Sequence, residues 1–326
     1  MAQKTILSGM RPTGRLHLGN FVGALENWVK LQDEYKAFFF AADWHVLTTD
    51  LNNTGEIAEN TLQMAIDWLA AGINPDKSTL FVQSQVKEHA ELFLLFSMVT
   101  TVSRLERNPT LKEQVRDLNS ELISYGHLGY PVLQAADVLL YRPDAVPVGE
   151  DQAPHLEITR EIARKFNNIF GDIFPEPETK MTVFSRLPGL DGKKMSKSLG
   201  NTILMADSPE EIFQKVRKAV TDPQKLRKND PGHPDVCNVF AYHKKFNPAE
   251  IEEIRRDCES GVLGCVACKK NCSEKISAYL EPVREKRAYY EAHLDDVKDV
   301  LNEGTKNARM VAGQTMDDVH RAMKLG

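Results

Sequence analysis

The chain has 326 residues, 42% of them apolar and 27% charged, and a formal net charge of −5. This is the composition of an ordinary soluble protein with room for a large core and two domains. The mild acidity excludes a global nucleic-acid footprint, so nucleic-acid contacts must come from local basic patches. The longest apolar run, Leu92 to Val99 with Ser97 inside it, is too short to cross a bilayer.

Met1-Ala2-Gln3-Lys4 leads directly into a strand pattern, Thr5-Ile6-Leu7, with no secretory signature; the expected location is cytoplasmic. Gly9 to Asn20 then predicts a glycine-punctuated turn feeding a helix over Phe21 to Tyr35. Its three glycines and a proline let the backbone approach a ligand, and the helix start offers unpaired N–H groups to phosphate. The spacing is neither G-x-G-x-x-G nor a P-loop. Ala37 to Asp43 predicts a buried parallel strand, Ile57 to Ala71 a helix, Thr79 to Val82 a strand and Glu88 to Val99 a helix. This alternation predicts an α/β, Rossmann-like, doubly wound parallel sheet, with ligands beyond the carboxyl ends of the strands.

From Thr101 to Tyr141 the strand signals fade, and short helices are expected as an insertion. Ala145 to Gly149 resumes the sheet, and Glu150 to Phe166 predicts a helix with acids early and Arg164 and Lys165 late. Pro175 to Glu178 reads as a loop, and Leu187 to Gly192 leads into a lysine-rich loop. Ser208-Pro209-Glu210-Glu211 is a helix start, and the remainder reads as helical apart from Asp230 to Asn238 and the cysteine segment. The expected organisation is a catalytic domain over 1–204, with the insertion at about 101–141, and an α-helical domain over 205–326. The last helix of the second could pack back on the first.

Two segments carry chemistry together. His17-Leu18-Gly19-Asn20 lies between the first strand and helix, and Lys194-Met195-Ser196-Lys197-Ser198 lies far downstream between Gly192 and Gly200. They resemble the HIGH and KMSKS signatures of class I aminoacyl-tRNA synthetases. That resemblance implies ATP phosphates on the turn, with His17 donating to charge that develops at the α-phosphate. Arg11 and Thr13 would contact phosphate or substrate, Gly19 would admit the adenosine, and Asn20 would order the helix start. Lys194 and Lys197 would form a mobile clamp for the leaving pyrophosphate, with Lys112 a candidate third cation.

Three further segments bear on the substrate. Asp137 ends Tyr130-Pro131-Val132-Leu133-Gln134-Ala135-Ala136-Asp137, a largely apolar stretch. A carboxylate there needs a donor, either a structural partner or a ligand, and an indole N–H is donor only. Val146 to Gln152 opens another helix, where Asp151 could cap the helix or accept a ribose hydroxyl. Asp43-Trp44-His45 closes the second strand, where ligand-facing residues belong.

These segments resemble the tryptophanyl-tRNA synthetases nearly end to end. The Gly-Gly-Ser-Asp-Gln type of sequence of the tyrosyl enzymes is absent. The resemblance implies that Asp137 binds the indole nitrogen, with Tyr130, Gln134, His45 and Gln152 lining the amino-acid site. It implies ATP contacts from Arg11, Pro12, Thr13, Gly19, Asn20, Gly149, Glu150, Asp151, Lys194, Met195, Ser196, Lys197 and Ser198, and a backbone contact to adenine at Arg186. Many family members carry Gln where Arg11 stands and Met where Gln134 stands. The implied reaction is ATP-dependent activation of L-tryptophan, Mg²⁺ accompanying ATP, then transfer to the terminal adenosine of tRNA(Trp) by a homodimer. No membrane or DNA partner is expected.

All five cysteines lie between Cys237 and Cys272. Cys237, Cys258, Cys265 and Cys268 supply four thiolates, which suit zinc or an iron–sulfur cluster. A subset of tryptophanyl-tRNA synthetases carries a [4Fe–4S] cluster on cysteines arranged like these, so the resemblance favours the cluster over Zn²⁺, in a structural or anticodon-reading role. Lys215, Arg217, Lys218, Lys225, Arg227, Lys228, Arg255, Arg256, Lys269 and Lys270 stand beside it as a candidate phosphate-binding surface. Two other readings remain: a non-catalytic sensor of tryptophan or RNA, and a nucleotidyltransferase making a small-molecule adenylate without tRNA.

Overall fold

A computed structural model describes residues 3–112, 123–149, 153–181 and 187–325. The chain divides into two compact units. One comprises Met1–Gly14, Asn27–Val183 and Tyr290–Gly326, the other Arg15–Glu26 and Phe184–Tyr289.

The first unit is built on five parallel strands: β1 (Thr5–Met10), β2 (Lys36–Ala41), β3 (Ser78–Val82), β4 (Ala145–Val148) and β5 (Glu178–Met181), in the order β3-β2-β1-β4-β5. The order reverses between β1 and β4, which makes the carboxyl ends of those strands the switch point of a doubly wound sheet. β2 is apolar at nearly every position, as a strand covered on both faces must be. On one face Trp28 stacks on Phe39 at 4.4 Å. The unit's principal core gathers Phe38, Phe81, Phe96, Ala308, Ala312 and Met316.

The helices used below are α1 (Asp43–Leu47), α2 (Ile57–Ala71), α3 (Glu88–Val99), α4 (Tyr125–Leu139), α5 (Ala153–Phe170), α6 (Pro209–Arg217), α7 (Asn238–Phe246), α8 (Ile251–Glu259), α9 (Cys265–Ala292) and α10 (Leu294–Met323). α10 packs on β3. Gly304 sits so close that a Cβ there would fall 1.8 Å from the Leu80 carbonyl oxygen. With Ala308 and Ala312 at successive turns, it gives α10 a stripe of small residues for close approach to the sheet.

Several elements depart from the sequence reading. The expected helix over Phe21 to Tyr35 opens as a π-helical turn, Phe21–Leu25, before Glu26–Leu31 becomes α-helical. In 101–141 the largest described element is α4, a helix of 15 residues with Pro131 inside it. Its burial from Gly129 to Val132 and from Ala135 to Leu139 hides the amphipathic period that would betray a helix. β5 falls at the end of the expected loop; it is polar, short and paired only with β4, as edge strands often are. The cysteine segment, expected outside the helices, opens the 28-residue α9. No described helix is long and apolar enough to cross a membrane.

The second unit is mostly helical. α6 begins with a capping box in which Ser208 and Glu211 each satisfy the other's backbone N–H. Its buried residues include Ile212, Val239, Phe240, Tyr242, Ile276 and Leu280.

Candidate active site

The turn bearing His17 belongs to the second unit. Residues 16–18 pair antiparallel with 203–205: the Leu18 amide donates to the Ile203 carbonyl and the Met205 amide to the Leu16 carbonyl, both at 2.9 Å. The lysine-rich loop is thereby tied, five residues past its end, to the turn that starts the first helix. His17 caps that start. Its Nδ1 accepts from the Asn20 amide at 3.3 Å, and Asn20 Oδ1 accepts from the His17 amide at 3.2 Å. With Nδ1 an acceptor, the neutral ring carries its proton on Nε2. Burial, and then the charge of Lys197, lower the His17 pKa to about 4. His17 is therefore a neutral Nε2–H donor at pH 7.

Gly19 has no room for a side chain: a Cβ would meet the His17 ring at 3.0 Å and Met195 Sδ at 3.3 Å. The Gly19 amide donates to that sulfur at 3.3 Å. Met195 is buried, Ser196 and Lys197 are half-buried, and Lys194 and Ser198 are exposed. Asn201, which the sequence reading missed, organises the loop. Its Oδ1 accepts from the Ser196 amide at 2.8 Å, and its Nδ2 donates to the Lys194 carbonyl at 3.0 Å and to Asp191 at 2.7 Å. A Cβ on Gly189 would lie 2.3 Å from Asn201 Nδ2, so that glycine makes room for the amide. The signal available in sequence was an asparagine directly after the loop-closing Gly200.

Arg11, Pro12, Thr13, Gly149 and Lys112 belong to the first unit. Arg11 follows β1 and donates to Thr49 Oγ1. Burial lowers its pKa, against the raising effect of Asp50. Pro12 is buried and Thr13 exposed, the Thr13 amide donating to the Arg11 carbonyl at 2.9 Å. Gly149 follows β4 and is half-buried, and Lys112 is exposed on helical backbone. Glu150, Asp151, Gln152 and Arg186 lie outside the described residues.

Asp137 sits on α4, 1% exposed. Its Oδ2 is 2.8 Å from His45 Nε2, and its Oδ1 is 2.7 Å from His89 Nδ1. The Gln83 amide donates to both oxygens, at 2.7 and 2.9 Å. Burial would push this carboxyl up; the hydrogen bonds from His45 and His89 outweigh it and lower the pKa to about 2. Tyr130 is buried with its hydroxyl 3.1 Å from His155 Nε2, and Gln134 is half-buried on α4. His45 and Gln83 follow β2 and β3, at the carboxyl ends that a doubly wound sheet reserves for ligands. Gln83 and His89 were missed in sequence; the position of Gln83 just after a strand was the available signal.

The five cysteines form no disulfide. Cys237 precedes α7, Cys258 lies in the last turn of α8, and Cys265 and Cys268 share the first turn of α9. Burial, and then Cys237, Cys258 and Cys265, push the Cys268 thiol up to about 12; burial, and then Cys237, Cys265 and Asp222, raise Cys258 against the opposing charge of Lys225. Gly232 leaves room for the Cys258 side chain, since a Cβ there would lie 2.5 Å from Cys258 Sγ. Among the described residues no three His, Cys, Asp or Glu side chains form a group that could hold a metal ion. The donor chemistry fits a thiophilic group, and the spacing does not close around a single ion.

Of the basic residues beside them, several are engaged internally. Lys225 is buried and donates to the Asp230 carbonyl at 2.5 Å, Lys215 pairs with Asp207 at 2.5 Å, and Arg255 with Asp235 at 2.7 Å. Arg217, Lys218, Arg227 and Lys228 are exposed.

A parallel sheet reversing at β1 and β4, a histidine-capped helix start and a lysine loop paired to it define a class I aminoacyl-tRNA synthetase. The family model described as tRNA synthetases class I (W and Y) matches residues 2–281, and the chain belongs to that family. It is 51% identical to the tryptophan–tRNA ligase of Thermotoga maritima, over 98% of this chain and 99% of that one. It is 44% identical to that of Aquifex aeolicus, again over 98% and 99%. Among solved structures, tryptophanyl-tRNA synthetase from Campylobacter jejuni complexed with ADP and tryptophan matches with a TM-score of 0.88 and 35% identity, over 98% of this chain and all of that one.

Proposed function

We infer that the chain is a tryptophan–tRNA ligase: it activates L-tryptophan with ATP and transfers it to tRNA. Relatives at 51% and 44% identity over nearly their whole length bear that name. The observation that carries the amino-acid assignment is Asp137, a buried acceptor that meets three donor side chains among the described residues. A lone carboxylate of lowered pKa suits a neutral N–H ligand such as indole, and His45, Tyr130, Gln134 and Gln152 are proposed to line the same site.

The tryptophan carboxylate attacks the α-phosphate of ATP in line, giving the adenylate and pyrophosphate. A ribose hydroxyl of the terminal tRNA adenosine then attacks the adenylate. His17 donates through Nε2–H to the developing phosphate charge, and Lys194 and Lys197 stabilise the leaving pyrophosphate, with Lys112 a third cation. Arg11, Pro12, Thr13, Gly19, Asn20, Gly149, Glu150, Asp151, Arg186, Met195, Ser196 and Ser198 complete the ATP contacts, with Mg²⁺ accompanying ATP. Catalysis is positioning and charge stabilisation without a covalent enzyme intermediate. Pyrophosphate exchange with tryptophan, tyrosine and phenylalanine, followed by aminoacylation of total tRNA, tests this. Exchange without tRNA charging would return the nucleotidyltransferase reading, and binding without exchange the sensor.

Cys237, Cys258, Cys265 and Cys268 are proposed to hold a [4Fe–4S] cluster, which would brace α7, α8 and α9; four unbridged thiols of suitable donor chemistry support it. The helical region 205–326 is assigned to anticodon binding, with Arg217, Lys218, Arg227 and Lys228 as its exposed cations. A homodimer is supported by Leu94 and Met98 on α3 and nearby Val102, exposed at 54%, 71% and 54%.

A further inference from the structure

Every donor to Asp137 comes from a different element, and the two carboxylate oxygens are not equivalent. Gln83 spans both oxygens; Oδ1 alone faces His89, which like Gln83 is fully buried. Oδ2 faces His45, whose side chain is 11% exposed, the most accessible of the partners. A ligand reaching this carboxylate therefore meets it on the His45 side, at Oδ2. Behind Oδ1 the network continues: His89 Nε2 lies 2.9 Å from the hydroxyl of Tyr141, itself 3% exposed.

The proton inventory orders this chain. Asp137 is an acceptor, so His89 Nδ1 carries a proton and donates to it. In the neutral ring Nε2 is then an acceptor, and Tyr141 donates. Burial, and then the charge of Asp137, raise the Tyr141 pKa well above its ordinary value, so the phenol keeps that proton. Gln83 cannot turn its amide round, because its Oε1 accepts from the Trp44 amide at 3.2 Å. The rings of Phe40 and Phe81 lie 6.0 and 6.1 Å from that of His89 and leave no polar alternative on those faces.

We propose that His89 and Tyr141 are positioning residues for amino-acid selection: the relay from the Tyr141 hydroxyl through the His89 ring to Asp137 Oδ1 holds the carboxylate in one orientation and presents Oδ2 to the ring N–H of the substrate. This rests on the reading of Asp137 as the indole acceptor and deepens it. Discrimination follows from the locking. A carboxylate free to turn could recruit a protein donor when a ligand lacks the N–H, and so tolerate phenylalanine. One held at Oδ1 cannot, and a ligand without the N–H gains no hydrogen bond from Oδ2.

The test uses full-length protein in pyrophosphate exchange, with tryptophan, tyrosine and phenylalanine as substrates. Tyr141→Phe keeps the ring and removes one oxygen; His89→Leu removes the relay; His89→Asn restores an amide donor near the Nδ1 position. Expected are a rise in the KM for tryptophan of about tenfold in His89→Leu, a smaller rise in Tyr141→Phe, an unchanged KM for ATP, weaker discrimination against phenylalanine in both, and recovery in His89→Asn. Folded His89→Leu and Tyr141→Phe with normal tryptophan KM and selectivity would overturn the relay, as would equal rises in both substrate constants. Should His89→Leu fail to fold, Tyr141→Phe decides alone. Asp137→Asn separates the two levels: if it destroys selectivity while the relay variants do not, only the relay falls; if it changes nothing, the indole assignment falls with it.

Discussion

Met195 Sδ lies 3.3 Å from the backbone nitrogen of Gly19, 176 residues earlier in the chain. The thioether covers a helix-start amide suited to a phosphate or ribose group. Gly19→Ala would push a methyl group against both the His17 ring and this sulfur. Pyrophosphate exchange should fall about tenfold or more, since a displacement of about 1 Å at a catalytic group is costly. The melting temperature should stay within a few degrees of the parent.

His17 should behave as a neutral donor across the working pH range. Its folded pKa is depressed from 6.5 to about 4, so below pH 6.5 the unfolded chain takes up a proton that the folded chain refuses. The sign follows: this contribution to stability is intact above pH 6.5 and is lost as pH falls towards 4. Chemical denaturation between pH 7 and 4 should show a shallower loss in His17→Asn. The same variant should lower kcat for activation by about a hundredfold or more, with little change in tryptophan KM.

Asp137 makes the corresponding prediction at lower pH. Its pKa drops from 3.8 to about 2 on folding, so its contribution is present above pH 3.8 and is lost as pH falls towards 2. Asp137→Asn should flatten that part of the acid-unfolding curve. Asp137→Ala should cost about 3–5 kcal/mol near neutrality, because His45, Gln83 and His89 lose their shared acceptor in the dark of the core. Denaturant melts read both.

Gly304→Ala tests the seat of the last helix. The added Cβ would overlap the Leu80 carbonyl oxygen, a backbone atom of the edge strand β3, and cannot be absorbed by a rotamer change. The expected loss is about 3 kcal/mol or more, visible as a lowered melting temperature. Gly313→Ala on the same helix meets nothing within 4 Å and serves as the control.

The cysteines are tested by colour and content. Anaerobically purified protein should absorb broadly in the visible and contain iron and sulfide. Cys258→Ser and Cys268→Ser should each lose iron, and Cys272→Ser should keep it. A colourless protein with zinc would replace the cluster by a single ion and require the thiols to draw closer than they stand here.

Much of the fold was legible because local pattern and tertiary role agree. The run Phe38-Phe39-Phe40 reads as a strand covered on both faces and is one, and Ile57–Ala71 and Glu88–Val99 form helices where the sequence predicts them. β5 was not legible, since a polar edge strand owes its existence to β4 beside it. Nor was the start of α9, where Cys265, Cys268 and Cys272, spaced three and four apart, are the helical repeat itself.

The sequence by itself determined the fold class and the family: alternating strand and helix patterns predict a parallel sheet, and two short signatures, in order, resemble those of class I synthetases. Tertiary structure alone decided how the groups at the site are tuned. His17 is neutral because burial and Lys197 make it so, and Asp137 is charged because His45, Gln83 and His89 converge on it from three separate elements. Desolvation and hydrogen bonding depend on what surrounds a group, and those neighbours are brought by pairings such as 16–18 with 203–205 that no local window contains.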